Sequence, residues 1–369
     1  MAMNEKNIRE AMELLKLNAS REIILEKFDN ETFELAKARI KGKEKHPKAE
    51  KLFMLLDDLR WATSYEVAEY RAKRLSCNKI ADLGCGVGFQ TFSFAKHCKK
   101  VYAVDIDKRK IEFAKLNAEA LGIKNIEFIE GDILSKEVAD KLKDADVFFC
   151  DPERLPSETA RTIKTIRPDV EKLLKLYPKI CIEFPPMMKD IPFECEKEYL
   201  SLNGELNRLN LYFGELRKCK ASAVVLPQGA VIHASAVKNI IAEEQKAPKI
   251  INFFYEVDPA VAKAELTAEL LLSMKGAYVY EQNEDIYLTS GKLLKNDFVK
   301  AYGVLEVVDD DFDKILEALQ RQKAGKVVLR MTVSPKDYWT ERNKYERKLS
   351  GSREVHLFVF DKAVIAEKL

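Results

Sequence analysis

Histidine is scarce in this 369-residue chain: His46, His97, His233 and His356 lie far apart, so no histidine-built metal site is expected. The seven cysteines (Cys77, Cys85, Cys98, Cys150, Cys181, Cys195, Cys219) contain no C-x-x-C pair. An odd, scattered set argues against a disulfide frame or a zinc knuckle and fits free thiols in a reducing cytoplasm. No apolar run approaches the roughly 18 residues that a membrane span needs. The opening Met1-Ala-Met-Asn-Glu lacks the basic-then-apolar pattern of a secretory signal. A cytoplasmic protein without a membrane partner is therefore expected. Excess charge is missing too: 62 lysines and arginines face 60 aspartates and glutamates, so nucleic-acid contact would need local basic patches. There is no repeat and no low-complexity tract.

What is present is length and apolar content. Hydrophobic residues make up 47% of the chain, enough for two or three cores at about 100–200 residues per domain. Three segments are expected: a helical region 1–77, a strand–helix region 78–245 and a mixed region 246–369. In the first, Ile8, Met12 and Leu15 share a helix face, and Ser20 stands as cap of a helix carrying Ile23, Ile24 and Phe28. Pro47 suits the first turn of a helix with Leu52, Leu55, Leu56 and Leu59. Thr63-Ser-Tyr-Glu66 has capping-box spacing for a helix ending near Cys77. The cations Lys37, Arg39, Lys41, Lys43, Lys45 and Lys48 read either as a solvated face or as nucleic-acid contact.

From residue 78 strands alternate with helices. Strands are expected at 79–83, 101–104, 126–129, 147–150, 180–184 and 223–226, with helices at 88–98, 108–121, 136–143 and about 205–216. That order implies right-handed crossovers and a parallel sheet covered on both faces. After a boundary near Glu243-Glu-Gln-Lys-Ala-Pro248, helices at 258–272, 312–322 and 335–349 mix with short strands, reading as a separate α+β domain.

Asp82-Leu-Gly-Cys-Gly-Val-Gly88 lies where the first strand ends and a helix begins. Glycines there let the backbone turn sharply and approach a ligand closely. Asp105 closes the second strand, where a carboxylate accepts both hydroxyls of a ribose. A dinucleotide fingerprint needs G-x-G-x-x-G, which from Gly84 would put its last glycine at position 89, occupied by Phe89. The G-x-G-x-G form with a leading Asp is that of class I S-adenosylmethionine-dependent methyltransferases. Nicotinamide or flavin binding, or a fold keeping the motif without a ligand, are the alternatives. The expected donor-site residues are Asp82, Gly84, Cys85, Gly86, Gly88, Asp105, Ile106, Asp132, Ile133 and Asp151. Asp132 reads as an adenine contact or as a helix cap, and Asp107 as a cap.

Asp151-Pro152-Glu153-Arg154 follows the fourth strand at the carboxyl edge, where open α/β sheets bind ligands. These four are the expected catalytic residues. Amino-methylating enzymes of this class carry Asp/Asn-Pro-Pro-aromatic there, and the aspartate and proline carbonyl accept from the target amine. Arg154 stands where the ring would be. Its guanidinium plane either stacks on a base or neutralises Asp151 or Glu153. Phe184-Pro185-Pro186-Met187 either walls the acceptor pocket or simply ends a strand. Asp-Pro-Pro-Arg also occurs in uracil C5-methyltransferases, but Cys181, Cys195 and Cys219 lack the nucleophile context Ser-Cys-Asn-Pro.

Five ordered segments resemble one family, the class I methyltransferases that end in a THUMP-like domain and are generally labelled RNA methyltransferases. They are Trp61-Ala-Thr-Ser-Tyr-Glu-Val-Ala-Glu-Tyr-Arg-Ala-Lys-Arg-Leu75, the glycine motif, Asp151-Pro-Glu-Arg154, Glu198-Tyr-Leu-Ser-Leu-Asn-Gly-Glu-Leu206 and Tyr255-Glu-Val-Asp-Pro-Ala-Val261. That family's tetrapeptide often reads Asp-Pro-Ala-Arg followed by Arg, from which Glu153 and Leu155 depart. The catalytic region is also distantly similar to guanine-N2 methyltransferases such as trimethylguanosine synthase. The resemblance implies a seven-stranded Rossmann-like α/β sheet with a helical N-terminal region and an α+β C-terminal domain. It also implies S-adenosyl-L-methionine as donor and RNA, such as tRNA or rRNA, as partner. Methylation of a protein or small molecule, or RNA binding without catalysis, are the rival functions.

Overall fold

The computed structural model describes residues 4–154, 163–188, 190–235, 245–282, 285–331 and 333–369. The chain divides into two compact units, Met1–Lys197 with Arg208–Lys218, and Glu198–Asn207 with Cys219–Leu369.

The first unit opens with helices α1 (Glu5–Lys16), α2 (Arg21–Leu25), α3 (Asn30–Gly42), α4 (Leu56–Trp61) and α5 (Tyr65–Arg74). Asn4 caps α1 by accepting from the Lys6 and Asn7 amides, and Ile8, Ala11 and Met12 form its buried face. Ser20 and Ser64 occupy the N-cap positions of α2 and α5 without a side-chain cap bond, so Thr63 is not the cap that its spacing predicts. The basic stretch departs from both of its readings at Arg39. That side chain is fully buried in α3, donates to the Leu52 carbonyl at 2.8 Å and pairs with Glu5 at 2.8 and 3.0 Å.

The helix expected from Pro47 through Leu59 is broken. A single 3-10 turn (Ala49–Lys51) precedes extended backbone and then α4. The reason is Asn117, whose side chain accepts from the Phe53 amide at 2.6 Å and donates to the Phe53 carbonyl at 2.9 Å. Backbone groups satisfied by a side chain have no need of a helical ladder.

The central sheet is built from β1 (Lys79–Leu83), β2 (Lys100–Asp105), β3 (Ile126–Glu130) and β4 (Val147–Cys150), with α6 (Phe89–His97), α7 (Lys108–Leu121) and α8 (Lys136–Lys141) between them. A two-residue strand β5 (Glu153–Arg154) pairs antiparallel with β6 (Ile166–Arg167), and α9 (Val170–Leu176) leads to β7 (Ile180–Phe184). A hairpin follows, β8 (Glu196–Leu202) and β9 (Glu205–Tyr212). Within this unit the order runs β9-β7-β4-β1-β2-β3, with β9 antiparallel to β7 and the other pairs parallel. Val147-Phe-Phe-Cys150 is apolar and buried throughout, as a strand covered on both faces must be.

The helix expected at about 205–216 is β9 instead. Asn203 (φ 56°) and Gly204 (φ 79°) both take positive φ, the requirement of a two-residue hairpin turn whose twist matches the flanking strands. Leu209, Leu211 and Tyr212 are buried, and Leu209 and Tyr212 register with Phe184 and Cys181.

The second unit contains the tip of that hairpin, then β10 (Ala221–Leu226) paired antiparallel with β11 (Ala230–His233). The proposed boundary at 243–248 falls partly outside the described residues. Beyond it come β12 (Phe253–Val257), α10 (Pro259–Ala264), α11 (Thr267–Ser273), β13 (Ala277–Gln282), β14 (Asp285–Ser290) and β15 (Val299–Asp309). They are followed by α12 (Phe312–Arg321), β16 (Ala324–Leu329), α13 (Tyr338–Glu346), β17 (Arg353–Val359) and β18 (Lys362–Lys368). These strands form a seven-stranded sheet in the order β13-β14-β12-β15-β18-β17-β16. Asp258 caps α10 through the Ala260 amide at 2.8 Å. The single helix expected from 258 to 272 breaks at Glu265, which adopts left-handed φ 59°. On α13, Tyr338 and Tyr345 pack against a buried cluster, whereas Trp339 is 63% exposed.

Candidate active site

The glycine motif forms a tight turn between β1 and α6. Gly84, Gly86 and Gly88 all take positive φ (88°, 56° and 99°), which side chains with a Cβ rarely adopt. The Gly84 and Cys85 amides both donate to the Val104 carbonyl, at 2.8 and 2.9 Å. At Gly86 an added Cβ meets nothing within 4 Å, leaving open space beside the backbone for a ligand.

Asp105 sits at the end of β2 and orients that turn. Its Oδ2 accepts from the Gly86 amide at 2.8 Å and its Oδ1 from the Asp107 amide at 2.9 Å. Each carboxylate oxygen has a second lone pair, so two acceptor sites remain for vicinal hydroxyls. Next to it the apolar Ile106 is 73% exposed, offering a face to a flat ring. Asp107 caps α7, accepting from the Arg109 and Lys110 amides.

The other expected donor residues are distributed differently. Asp82 is only 1% exposed and accepts a short hydrogen bond from the Thr91 hydroxyl of α6, so it acts within the protein. Burial, set against the Thr91 bond, pushes its carboxyl up to about 7. Cys85 is buried as well. Asp132 is exposed and accepts from the Leu134 amide at 2.9 Å, while the cap of α8 is Ser135, which accepts from Val138. Ile133 is buried, and its carbonyl accepts from the Tyr177 hydroxyl at 2.7 Å. The open turn, the oriented carboxylate and the exposed apolar neighbour together fit an adenosine-bearing donor.

Asp151 follows β4 directly and is half-buried; Pro152 is buried. The Asp151 carbonyl oxygen lies 4.0 Å from the position of a Cβ on Gly84, so the tetrapeptide begins against the donor turn. The side chains of Glu153 and Arg154 lie outside the described residues, although their backbone forms β5. Pro185 is buried and Met187 is exposed after β7.

A charged network that sequence reasoning missed backs this edge. Arg71 of α5 is fully buried, with its guanidinium 4.5 Å from the Phe149 ring of β4. It pairs with Glu183 of β7 and donates to Gln90 at 2.8 Å and Asn210 at 3.0 Å. Arg208 takes the other Glu183 oxygen at 2.6 Å. Lys45 donates to the carbonyls of Arg60 (3.2 Å) and Ala62 (2.6 Å), and burial, then the Arg208 charge, lower its ammonium against the opposing Asp151 and Glu183 charges. The N-terminal helices also grip the donor side. His46 packs on Phe89 at 5.5 Å, Asp58 holds Arg109 by two bonds of 2.8 Å, and Val87 and Phe89 join the N-terminal apolar core.

Residues 76–248 match a protein-family model described as a methyltransferase domain. This segment is a methyltransferase domain. Its methyl donor is S-adenosylmethionine. Over its whole length the chain shares a fold with a candidate methyltransferase from Porphyromonas gingivalis W83. That likeness has a TM-score of 0.74 at 16% identity and covers 100% of both chains. A relative from Methanocaldococcus jannaschii, named as a cobalt-precorrin-6B C(15)-methyltransferase (decarboxylating), is 38% identical over 84 residues, 22% of this chain and 45% of its own. An RNA methyltransferase from Oceanobacillus iheyensis, named as uncharacterized, is 32% identical over 108 residues, 28% of this chain and 23% of its own. The chain thus spans less than half the length of these curated relatives. Among the described residues no helix is long and apolar enough to cross a membrane.

Proposed function

We propose that this chain uses its methyltransferase domain to methylate an exocyclic amine of a base in structured RNA, such as tRNA or rRNA, in the cytoplasm. The observation that carries this reading is the seating of Asp151-Pro152 against the Gly84 turn. A hydrogen-bond acceptor pair thereby stands beside the donor loop. Several relatives named as RNA methyltransferases, from Oceanobacillus iheyensis and Listeria monocytogenes among others, support the RNA class.

An exocyclic amine is a weak nucleophile because its lone pair is delocalised into the ring. S-adenosylmethionine, when bound, supplies a methyl group made electrophilic by the sulfonium. The Asp151 carboxylate and the Pro152 carbonyl accept the two amine hydrogens and favour a pyramidal nitrogen. Proline lacks an N–H and fixes φ, which aims its own carbonyl. Positioning and oriented acceptors supply most of the acceleration. No strong base is required, since the proton leaves once the nitrogen carries positive charge. We assign Asp105 and Ile106 to the ribose and adenine of the donor. The segment 246–369 is assigned as a THUMP-like RNA reader, the segment 78–245 as the catalytic domain and the segment 1–77 as its helical flank.

Methylation of a small molecule is the second reading, favoured by the relative named for a cobalt-precorrin. Nucleoside mass spectrometry of RNA from a deletion strain separates the two. The RNA reading expects one modified nucleoside to vanish and to return on complementation; an unchanged nucleoside profile sinks it.

A further inference from the structure

The tetrapeptide after β4 carries Arg154 where amino-methylating enzymes place an aromatic ring, so that position offers a flat acceptor no aromatic ring. The N-terminal helices supply one. Trp61 ends α4, and its indole is 54% exposed, with the Arg60 guanidinium 5.1 Å from the ring centroid. An aromatic ring of that size, left in solvent, has not been used for packing.

The backbone on either side of Trp61 is fixed. Lys45 donates to the carbonyls of Arg60 and Ala62, so one ammonium clamps both neighbours. The adjacent Tyr65 amide donates to the Lys45 carbonyl at 2.7 Å, and the next residue, His46, packs on Phe89, the first residue after the donor turn. Downstream, Arg71 of α5 lies over Phe149, two residues before Asp151. The turn bearing Trp61 is therefore tied at one end to the donor loop and at the other to the acceptor strand.

We infer that Trp61 is the stacking platform for the acceptor base and that Lys45 is the positioning residue that holds it there. This rests on the RNA reading above and adds the ring that the tetrapeptide lacks. Base–aromatic stacking is worth roughly 1–3 kcal/mol per base, which corresponds to about five- to 150-fold in affinity.

The test uses the full chain, labelled S-adenosylmethionine and total RNA from a strain lacking the protein. Trp61→Ala is expected to raise KM for RNA about tenfold or more, with kcat within a few-fold and the affinity for S-adenosylhomocysteine unchanged. Trp61→Phe should recover most of the loss, and Lys45→Met should raise KM in the same direction. The chain has two tryptophans, so in a Trp339→Phe background Trp61 is the sole indole reporter, and added RNA should quench it. An unchanged KM in Trp61→Ala overturns the inference, as does equal damage from Ala and Phe. A wild-type protein that binds S-adenosylhomocysteine but methylates no RNA sinks the functional reading, and the inference with it. Methylation of RNA without quenching of Trp61 sinks the inference alone.

Discussion

Arg71 and Glu183 form an ion pair inside the first unit, both side chains nearly inaccessible to solvent, with the guanidinium lying against Phe149. One residue comes from the helix α5 and the other from the end of β7, so the pair ties the N-terminal helices to the acceptor edge of the sheet. Removing Arg71 leaves Glu183 with Arg208 alone and strips Gln90 and Asn210 of a buried donor, and breaking a buried pair costs about 3–5 kcal/mol. Arg71→Met should therefore lower the thermal midpoint strongly. Arg208→Met, at a partly exposed member of the same cluster, should lower it much less. Comparable small shifts in both variants, measured by scanning fluorimetry, would show that the buried pair is not a structural tie.

Asp105 both holds the Gly86 amide and offers its remaining lone pairs. A hydrogen bond to a charged group contributes about 1.5–3 kcal/mol, so Asp105→Ala should weaken S-adenosylhomocysteine binding roughly tenfold or more. Asp105→Asn keeps an acceptor for the amide and should fall between. Calorimetry measures both, and an Ala variant binding as tightly as wild type would remove Asp105 from the donor site.

For Asp151, Asp151→Ala should lower turnover by about a hundredfold, by analogy with the loss of one oriented oxyanion-hole donor. Donor affinity should barely move, because the change is on the acceptor side. Full turnover on RNA with the alanine variant is the result that would eliminate the proposed chemistry.

Asp82 and His46 give opposing pH dependences. Burial raises the Asp82 carboxyl from its ordinary 3.8 to about 7, so the folded chain holds a proton that the unfolded chain has released. That contribution is complete below pH 3.8 and is lost as pH rises to about 7. Burial, together with Lys96 and Lys48, lowers the His46 imidazole from 6.5 to about 4, so its contribution is present above 6.5 and is lost as pH falls to about 4. Asp82→Asn should remove the first effect and keep the second. Its stability relative to wild type should then climb from pH 4 to 7, and a flat difference across that range, followed by denaturation midpoints, contradicts the assignment.

The C-terminal unit presents Lys336, Trp339, Arg347 and Lys348 in exposed positions, whereas Arg342 and Lys344 of the same segment pair with Glu346 and Glu341. If this face reads phosphates, replacing the three exposed cations by glutamine should lower the slope of log affinity against log salt by about 2 to 3. Methyl-donor binding should stay as it was. An unaltered slope assigns RNA reading to another surface.

Much of the catalytic core was legible because it is locally encoded. The ends of β1, α7, β4 and β7 coincide with their expected ranges, since continuous apolar runs and an Asp107 cap are features that a few adjacent residues define. The hairpin β8–β9 is also encoded locally, by Asn203-Gly204, but Leu206 and Leu209 at i, i+3 imitate a helix and mask that turn signal. The break after Pro47 could not be read in this way, because the group that replaces the helical ladder there, Asn117, lies 64 residues beyond the Phe53 it bonds.

The sequence by itself determined the glycine turn after β1, the carboxylate that ends β2 and the strand that precedes Asp151, because a glycine's φ and a strand's apolar pattern are properties of short stretches. Only the tertiary structure decided what surrounds them. Arg39, Arg71 and Lys45 look alike in sequence as surface cations, yet one joins Glu5 and Leu52, one is buried against Glu183, and one clamps the turn around Trp61. A charged side chain is driven inward only where distant carbonyls and carboxylates converge to replace its water, and that convergence exists only once the chain has folded.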